Sequence, residues 1–180
     1  MSEQPIRVLV ADDHAIVRTG IRHVLESEPG FEVVGEASTG PEALELAASH
    51  HPDVAVLDIS MPGQSGLQVA AELRTRSPET RVLILSMHDN TEYVMESLRA
   101  GAHGYLLKDS AALELRGAIR AVQRGESFFS PAIAGRLSAR EQEQLARLLR
   151  KLLLSFEGVK SAAKTPKRAA QKEAKSAAFA

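Results

Sequence analysis

The sequence predicts an α/β protein, with a doubly wound parallel sheet over residues 5–125. After it come a linker at 126–137, an amphipathic helix at 138–156 and a basic tail at 157–180. Three observations carry this reading. Five short apolar stretches alternate with five stretches of helical periodicity. The first, third and fourth of the apolar stretches are apolar on both faces, as strands of a sheet covered on both sides must be. The hydrophobic fraction of 44% supplies a core for one domain, without any apolar run near the ~20 residues of a membrane span.

In chain order, Ile6–Ala11 reads as a strand that runs into Asp12-Asp13. Ile16, Val17, Ile21, Val24 and Leu25 then recur at helical spacing until Pro29-Gly30. Phe31–Ala37 is a second, partly alternating strand. Ser38-Thr39-Gly40-Pro41 opens a helix, with Pro early, where its missing N–H costs little. Val54–Asp58 is the third strand, broken by Pro62, Gly63 and Gly66, and a helix over 65–76 follows. Arg81–Ser86 is the fourth strand, with a helix over 90–100 ending at Gly101. A short strand over 103–107 reaches Lys108, and a helix over 110–124 stops at Gly125.

Taken alone, Asp58 is an ordinary acid capping a turn. Its company changes that reading. Asp12 and Asp13 end the first strand, Asp58 the third, Ser86 the fourth and Lys108 the fifth. In a parallel sheet these ends share one edge, where open α/β sheets hold ligands. Three crowded carboxylates suit a hard divalent cation such as Mg²⁺, which accepts one or two carboxylates together with a phosphate. A hydroxyl and an ammonium beside them supply a donor and a positive charge for a transferred phosphoryl group. Asp58 is then the natural nucleophile, forming an acyl phosphate, because Pro62 and Gly63 shape the loop just beyond it.

These residues carry a resemblance to the response-regulator receiver family, along the whole of 5–125. The matching elements are Asp12-Asp13, Asp58-Ile-Ser-Met-Pro62 with Gly66, Ser86, and Gly104-Tyr-Leu-Leu-Lys108. The resemblance implies a flavodoxin-like (βα)5 sheet of order 2-1-3-4-5. It implies that Asp58 is the phosphoacceptor, that Asp12, Asp13, Asp58 and the backbone carbonyl of Ser60 hold Mg²⁺, and that Ser86 and Lys108 bind the phosphoryl group. Tyr105 stands where the family has its switch aromatic, turning inward as Ser86 is drawn to the phosphoryl group. The implied donor is a sensor histidine kinase, and the implied role is a phosphorelay response regulator rather than an enzyme. The six histidines, His14, His23, His50, His51, His88 and His103, show no metal-ligand spacing. His88, two residues after Ser86, is a candidate for tuning hydrolysis.

Leu85-Ser-Met-His-Asp89, the stretch 101–109 and Phe128-Phe-Ser-Pro131 resemble the NarL/FixJ subfamily, in which a LuxR-type helix-turn-helix follows the receiver. Leu137-Ser-Ala-Arg-Glu141 resembles the opening of that domain, but the recognisable likeness stops there. Instead Ser138 and Glu141 form a capping-box pattern. Leu145, Leu148, Leu149, Leu152, Leu153 and Phe156 follow as one apolar stripe, to be buried on the receiver or on a second copy. This helix resembles the dimerisation helix of MarR-type repressors.

Charge is uneven along the chain. Residues 157–180 carry a net +4, and the remainder sums to -5. A tail of this composition is expected to be disordered. The alternative function is therefore a dimeric DNA-binding regulator that uses helix 138–156 and the tail, whose lysines would meet nucleic-acid phosphates. A Mg²⁺-dependent phosphohydrolase is disfavoured, since the cap segment of such enzymes is missing. With no Cys, disulfides, thiol chemistry and Cys-ligated zinc are excluded. The N-terminus shows no signal-peptide pattern, so a cytoplasmic protein with no membrane partner is expected.

Overall fold

The computed structural model describes residues 4–163. Its strands are β1 (Ile6–Ala11), β2 (Phe31–Ala37), β3 (Val54–Asp58), β4 (Arg81–Ser86), β5 (Gly104–Leu107) and β6 (Phe128–Phe129). The helices between and after them are α1 (Ala15–Glu26), α2 (Gly40–His50), α3 (Gly66–Arg76), α4 (Thr91–Ala100), α5 (Ala111–Gln123), α6 (Pro131–Ala134) and α7 (Ala139–Ala163). All strand pairings are parallel, and the order is β2-β1-β3-β4-β5-β6. The expected order of five is present, with one further strand at its edge.

Strict alternation sends the central strands to two separate cores. Leu9, Ala11, Ala55, Leu57, Val82, Ile84 and Tyr105 point to the side covered by α2, α3 and α4. Val8, Val10, Val54, Val56, Leu83, Leu85 and Leu106 point to the side covered by α1 and α5. This is why β1, β3 and β4 read as unbroken apolar runs, every position being interior on one face or the other. Each fully buried Leu, Ile or Val contributes about 1.5–3 kcal/mol to folding.

Helices α2, α3 and α4 start where short polar side chains accept the first free N–H groups. Thr39 accepts from Glu42 at α2, and Asn90 accepts from Tyr93 at α4. Ser65 and Gln68 form a complete capping box at α3. Gly101, at φ 109°, closes α4 in the left-handed conformation.

Two expectations need correction. The segment 126–137, expected as a linker, is ordered into the fold: Phe128 and Phe129 pair with Gly104 and Tyr105, and Ile133 and Leu137 are buried. Its large apolar residues are too few to give a periodic signal, but Ile133 and Leu137 enter the core and Phe128 and Phe129 pack half-buried against it. The helix expected at 138–156 continues to Ala163, through residues assigned to the tail. Ala and Lys are strong helix formers, and the first Pro beyond is Pro166. The rest of the expected disordered tail, 164–180, lies outside the described residues.

Four members of the apolar stripe of α7 pack within the chain. Leu145, Leu148, Leu149 and Leu152 pack against the α2–α3–α4 core, with α4 as the neighbouring helix. Leu153 and Phe156 lie among the residues whose side chains are not described. Among the described residues no helix is long and apolar enough to cross a membrane, and none after residue 137 forms a helix-turn-helix.

Candidate phosphoryl-acceptor site

Parallel pairing aligns the carboxyl ends of β1, β3, β4 and β5 at one edge. Ala11 lies beside Leu57, Asp58 beside Leu85, and Ser86 beside Leu107. Asp12, Asp13, Asp58, Ser86 and Lys108 therefore arrive together, each as the last residue of a strand or just beyond it. Asp12 is fully buried and Asp58 almost so, while Asp13 is exposed. Oxygens of the three acids and a ring nitrogen of His14 all lie within 4.8 Å of one another.

Lys108 Nζ sits 2.7 Å from Asp12 Oδ2 and 3.1 Å from Asp58 Oδ1. Lys108 is thus the cationic partner of the buried Asp12 Oδ2. Asp12 Oδ1 accepts from the His14 backbone N–H at 2.8 Å. Burial, then the charge of Asp12, pushes the Asp58 carboxyl up against the opposing pull of Lys108. Burial disfavours the Lys108 ammonium, yet its contacts with Asp12 and Asp58 outweigh that and raise it. The site thus holds a basic carboxylate beside a secured cation.

The loop from Asp58 to α3 is shaped by close backbone approach. The Gly66 N–H donates to Ile59 O at 2.9 Å, and a Cβ at Gly66 would stand 2.1 Å from the Asp58 carbonyl oxygen. Only glycine fits there. Gly104 is similarly enclosed, its virtual Cβ meeting Leu83 at 2.8 Å and Phe128 O at 2.9 Å. Ser60 lies exposed in the β3–α3 loop, between the buried Ile59 and Met61.

Ser86 is buried, and its Oγ accepts from the His88 N–H at 3.0 Å. Tyr105 is wholly buried and donates its hydroxyl to the His88 carbonyl at 2.7 Å. Burial pushes its phenol up to about 12, against a lowering contact with Ser86. The His88 side chain is itself exposed and stacks on Tyr93, with ring centres 4.3 Å apart.

Sequence reasoning missed two participants. His14 was set aside for want of ligand spacing, but its Nδ1 lies 3.1 Å from Asp12 and 2.8 Å from Asp13. Its adjacency to the acid pair was the signal. Ser130 is buried behind β5, donating to Glu114 at 2.7 Å and accepting from the Leu107 N–H at 3.1 Å. It fixes the strand end that carries Lys108; the resemblance over Phe128–Pro131 includes it but implies no role for it. His103 Nδ1 accepts from the Val82 N–H at 3.1 Å, and burial together with the Arg81 charge pulls it down to about 3.

Comparison with known proteins places the fold in a family. The response regulator receiver domain family matches residues 8–120. An uncharacterized transcriptional regulatory protein of Bacillus subtilis, YxjL, is 42% identical over 137 residues, or 76% of this chain and 63% of that protein. The probable transcriptional regulatory protein NarL of Mycobacterium tuberculosis is 41% identical over 143 residues, covering 79% of this chain and 66% of the relative. The solved receiver domain of that NarL superposes with a TM-score of 0.67 at 44% identity, over 69% of this chain and all of the domain. The isolated receiver of RcsB from Salmonella enterica serovar Typhimurium, with a beryllofluoride phosphomimetic, gives 0.70 at 28% identity, over 75% of this chain and all of that one. The chain spans roughly three-fifths of the length of the curated relatives it matches, from 57% to 66%. It belongs to the response-regulator receiver family, among the NarL-like, LuxR-family regulators of two-component systems.

Proposed function

We propose that Asp58 accepts a phosphoryl group from a histidine kinase, and that the resulting change around Ser86 and Tyr105 controls an output, by relationship transcription. The observation that carries this is the position of Lys108 between Asp12 and Asp58, beside a carboxyl that its surroundings make more basic. An Asp58 carboxylate oxygen attacks phosphorus, the donor's N–P bond breaks as the O–P bond forms, and the electron pair leaves with the donor nitrogen. Lys108 holds the incoming negative charge, and the Ser86 hydroxyl supplies a hydrogen bond.

The donor set fits Mg²⁺. Three carboxylates converge within 4.8 Å, and two of them, Asp12 and Asp58, are buried. Asp12, Asp13, Asp58 and the Ser60 carbonyl would hold the ion, which when bound offsets charge between carboxylates and phosphoryl oxygens. His14 is a poor ligand for so hard a cation and serves instead to order the two acids. Incubation with acetyl phosphate should retard the protein on a phosphate-affinity gel in Mg²⁺ but not in EDTA. Steady release of phosphate without a retarded species would favour a phosphohydrolase instead. A dimer held together by α7 has less to recommend it, because the stripe at 145–152 already packs on α4 of the same chain.

A further inference from the structure

The β4–α4 loop, residues 87–90, is held from two sides. On the inside, Ser86 and Tyr105 grip the backbone of His88 through the two hydrogen bonds described above. On the outside, the C-terminal segment holds the same loop and the start of α4. Arg136, in the turn between α6 and α7, forms an ion pair with Asp89. Glu141 caps α7 through one oxygen, Oε2, which accepts from Ser138 N–H at 2.8 Å and Ser138 Oγ at 2.5 Å. Its other oxygen, Oε1, accepts from the Thr91 hydroxyl at 2.6 Å, across 50 residues of sequence.

A capping box requires one carboxylate oxygen. The second is committed here to the first residue of α4, directly after the loop that carries His88. Beyond the cap, the leucines of α7 lie on the α4 side of the core. The face of α4 is thus an interaction surface whose occupant is a segment of this chain.

We infer that α7 docks on α4 in a manner coupled to the phosphorylation site, through Glu141–Thr91 and Arg136–Asp89. Docked α7 holds the loop that positions Ser86, and a phosphoryl group on Asp58 orders the same hydroxyl. Each ordering lowers the entropic cost of the other, and the coupling is reciprocal. This deepens the proposed function and rests on Asp58 as acceptor, though the latch itself can be tested without phosphorylation.

The experiment is hydrogen exchange by mass spectrometry on the full chain. Adding Mg²⁺ with beryllofluoride should slow exchange over 139–152. Thr91→Val removes the Glu141 contact of the latch but keeps the Ser138–Glu141 cap and the Arg136–Asp89 pair, and should weaken beryllofluoride binding about threefold. Tyr105→Phe, with no phosphoryl mimic present, should speed exchange of α7, since the lost hydroxyl holds the loop and not the helix. The coupling is overturned if α7 exchange is indifferent to both beryllofluoride and Tyr105→Phe, or if beryllofluoride loosens α7. If the wild-type chain binds no beryllofluoride, the reading of Asp58 fails, and Tyr105→Phe alone decides the latch.

Discussion

Lys108 Nζ and Asp58 Oδ1 stand 3.1 Å apart, at the ends of strands that are not neighbours in the sheet. The ammonium reaches across the end of β4 to meet the acid. It partly offsets a carboxyl that burial and Asp12 make reluctant to ionise.

Lys108→Ala should therefore raise the Asp58 pKa further, because the opposing cation is gone while Asp12 and Asp13 remain. Carbon-detected NMR titration of the Asp58 carboxyl measures the change. A downward shift would contradict the arrangement.

Asp58→Asn should stabilise the fold at neutral pH by about 1 kcal/mol, a common result of relieving a functional site. The sign follows from linkage. The folded pKa lies above the unfolded value of 3.8, so the favourable state is the protonated one and is lost as pH rises through the folded pKa. At neutral pH the ionised Asp58 is a net cost, which urea unfolding of wild type and variant would show.

The family-defining part of the chain was readable because its residues act through position alone. Continuous apolar runs marked β1, β3 and β4, and the polar residue after each run marked the site. Asp12, Asp13, Asp58, Ser86 and Lys108 needed no knowledge of side-chain angles to be placed at one edge. β6 was hidden because two residues cannot display a period. Ser130 was hidden because its role depends on Glu114 and Leu107, which only the folded chain brings near. The extent of α7 was misjudged because helix-forming Ala and Lys were read for their charge.

Gly66→Ala should destabilise by about 1–3 kcal/mol, and by more if the backbone cannot yield, as overpacked sites do. Its Cβ would collide with the carbonyl of Asp58 itself. Phosphoryl acceptance should fall with stability. A variant as stable as wild type would show that the β3–α3 loop can move aside.

Ile133→Ala should cost about 2–5 kcal/mol, the range for a large aliphatic side chain removed from a core. Ile133 is fully buried, although it lies in the stretch expected to be a linker. Chemical denaturation with no measurable change would return that stretch to the role of a tether.

Stability should decline on acidification through His103. Its folded pKa of about 3 lies below the ordinary histidine value of 6.5, so the unfolded chain binds the proton first. The stabilisation is complete above 6.5 and is lost as pH falls toward about 3, at up to ~1.4 kcal/mol per pH unit. His103→Asn, which keeps an acceptor for the Val82 N–H, should flatten that slope in urea titrations between these limits.

Intact-mass spectrometry after incubation with a small-molecule phosphodonor and Mg²⁺ tests the assignment of Asp58 most directly. The wild-type chain should gain the mass of one phosphoryl group, and Asp58→Asn should gain none. An adduct on the Asn variant, or no adduct on the wild type, would contradict it.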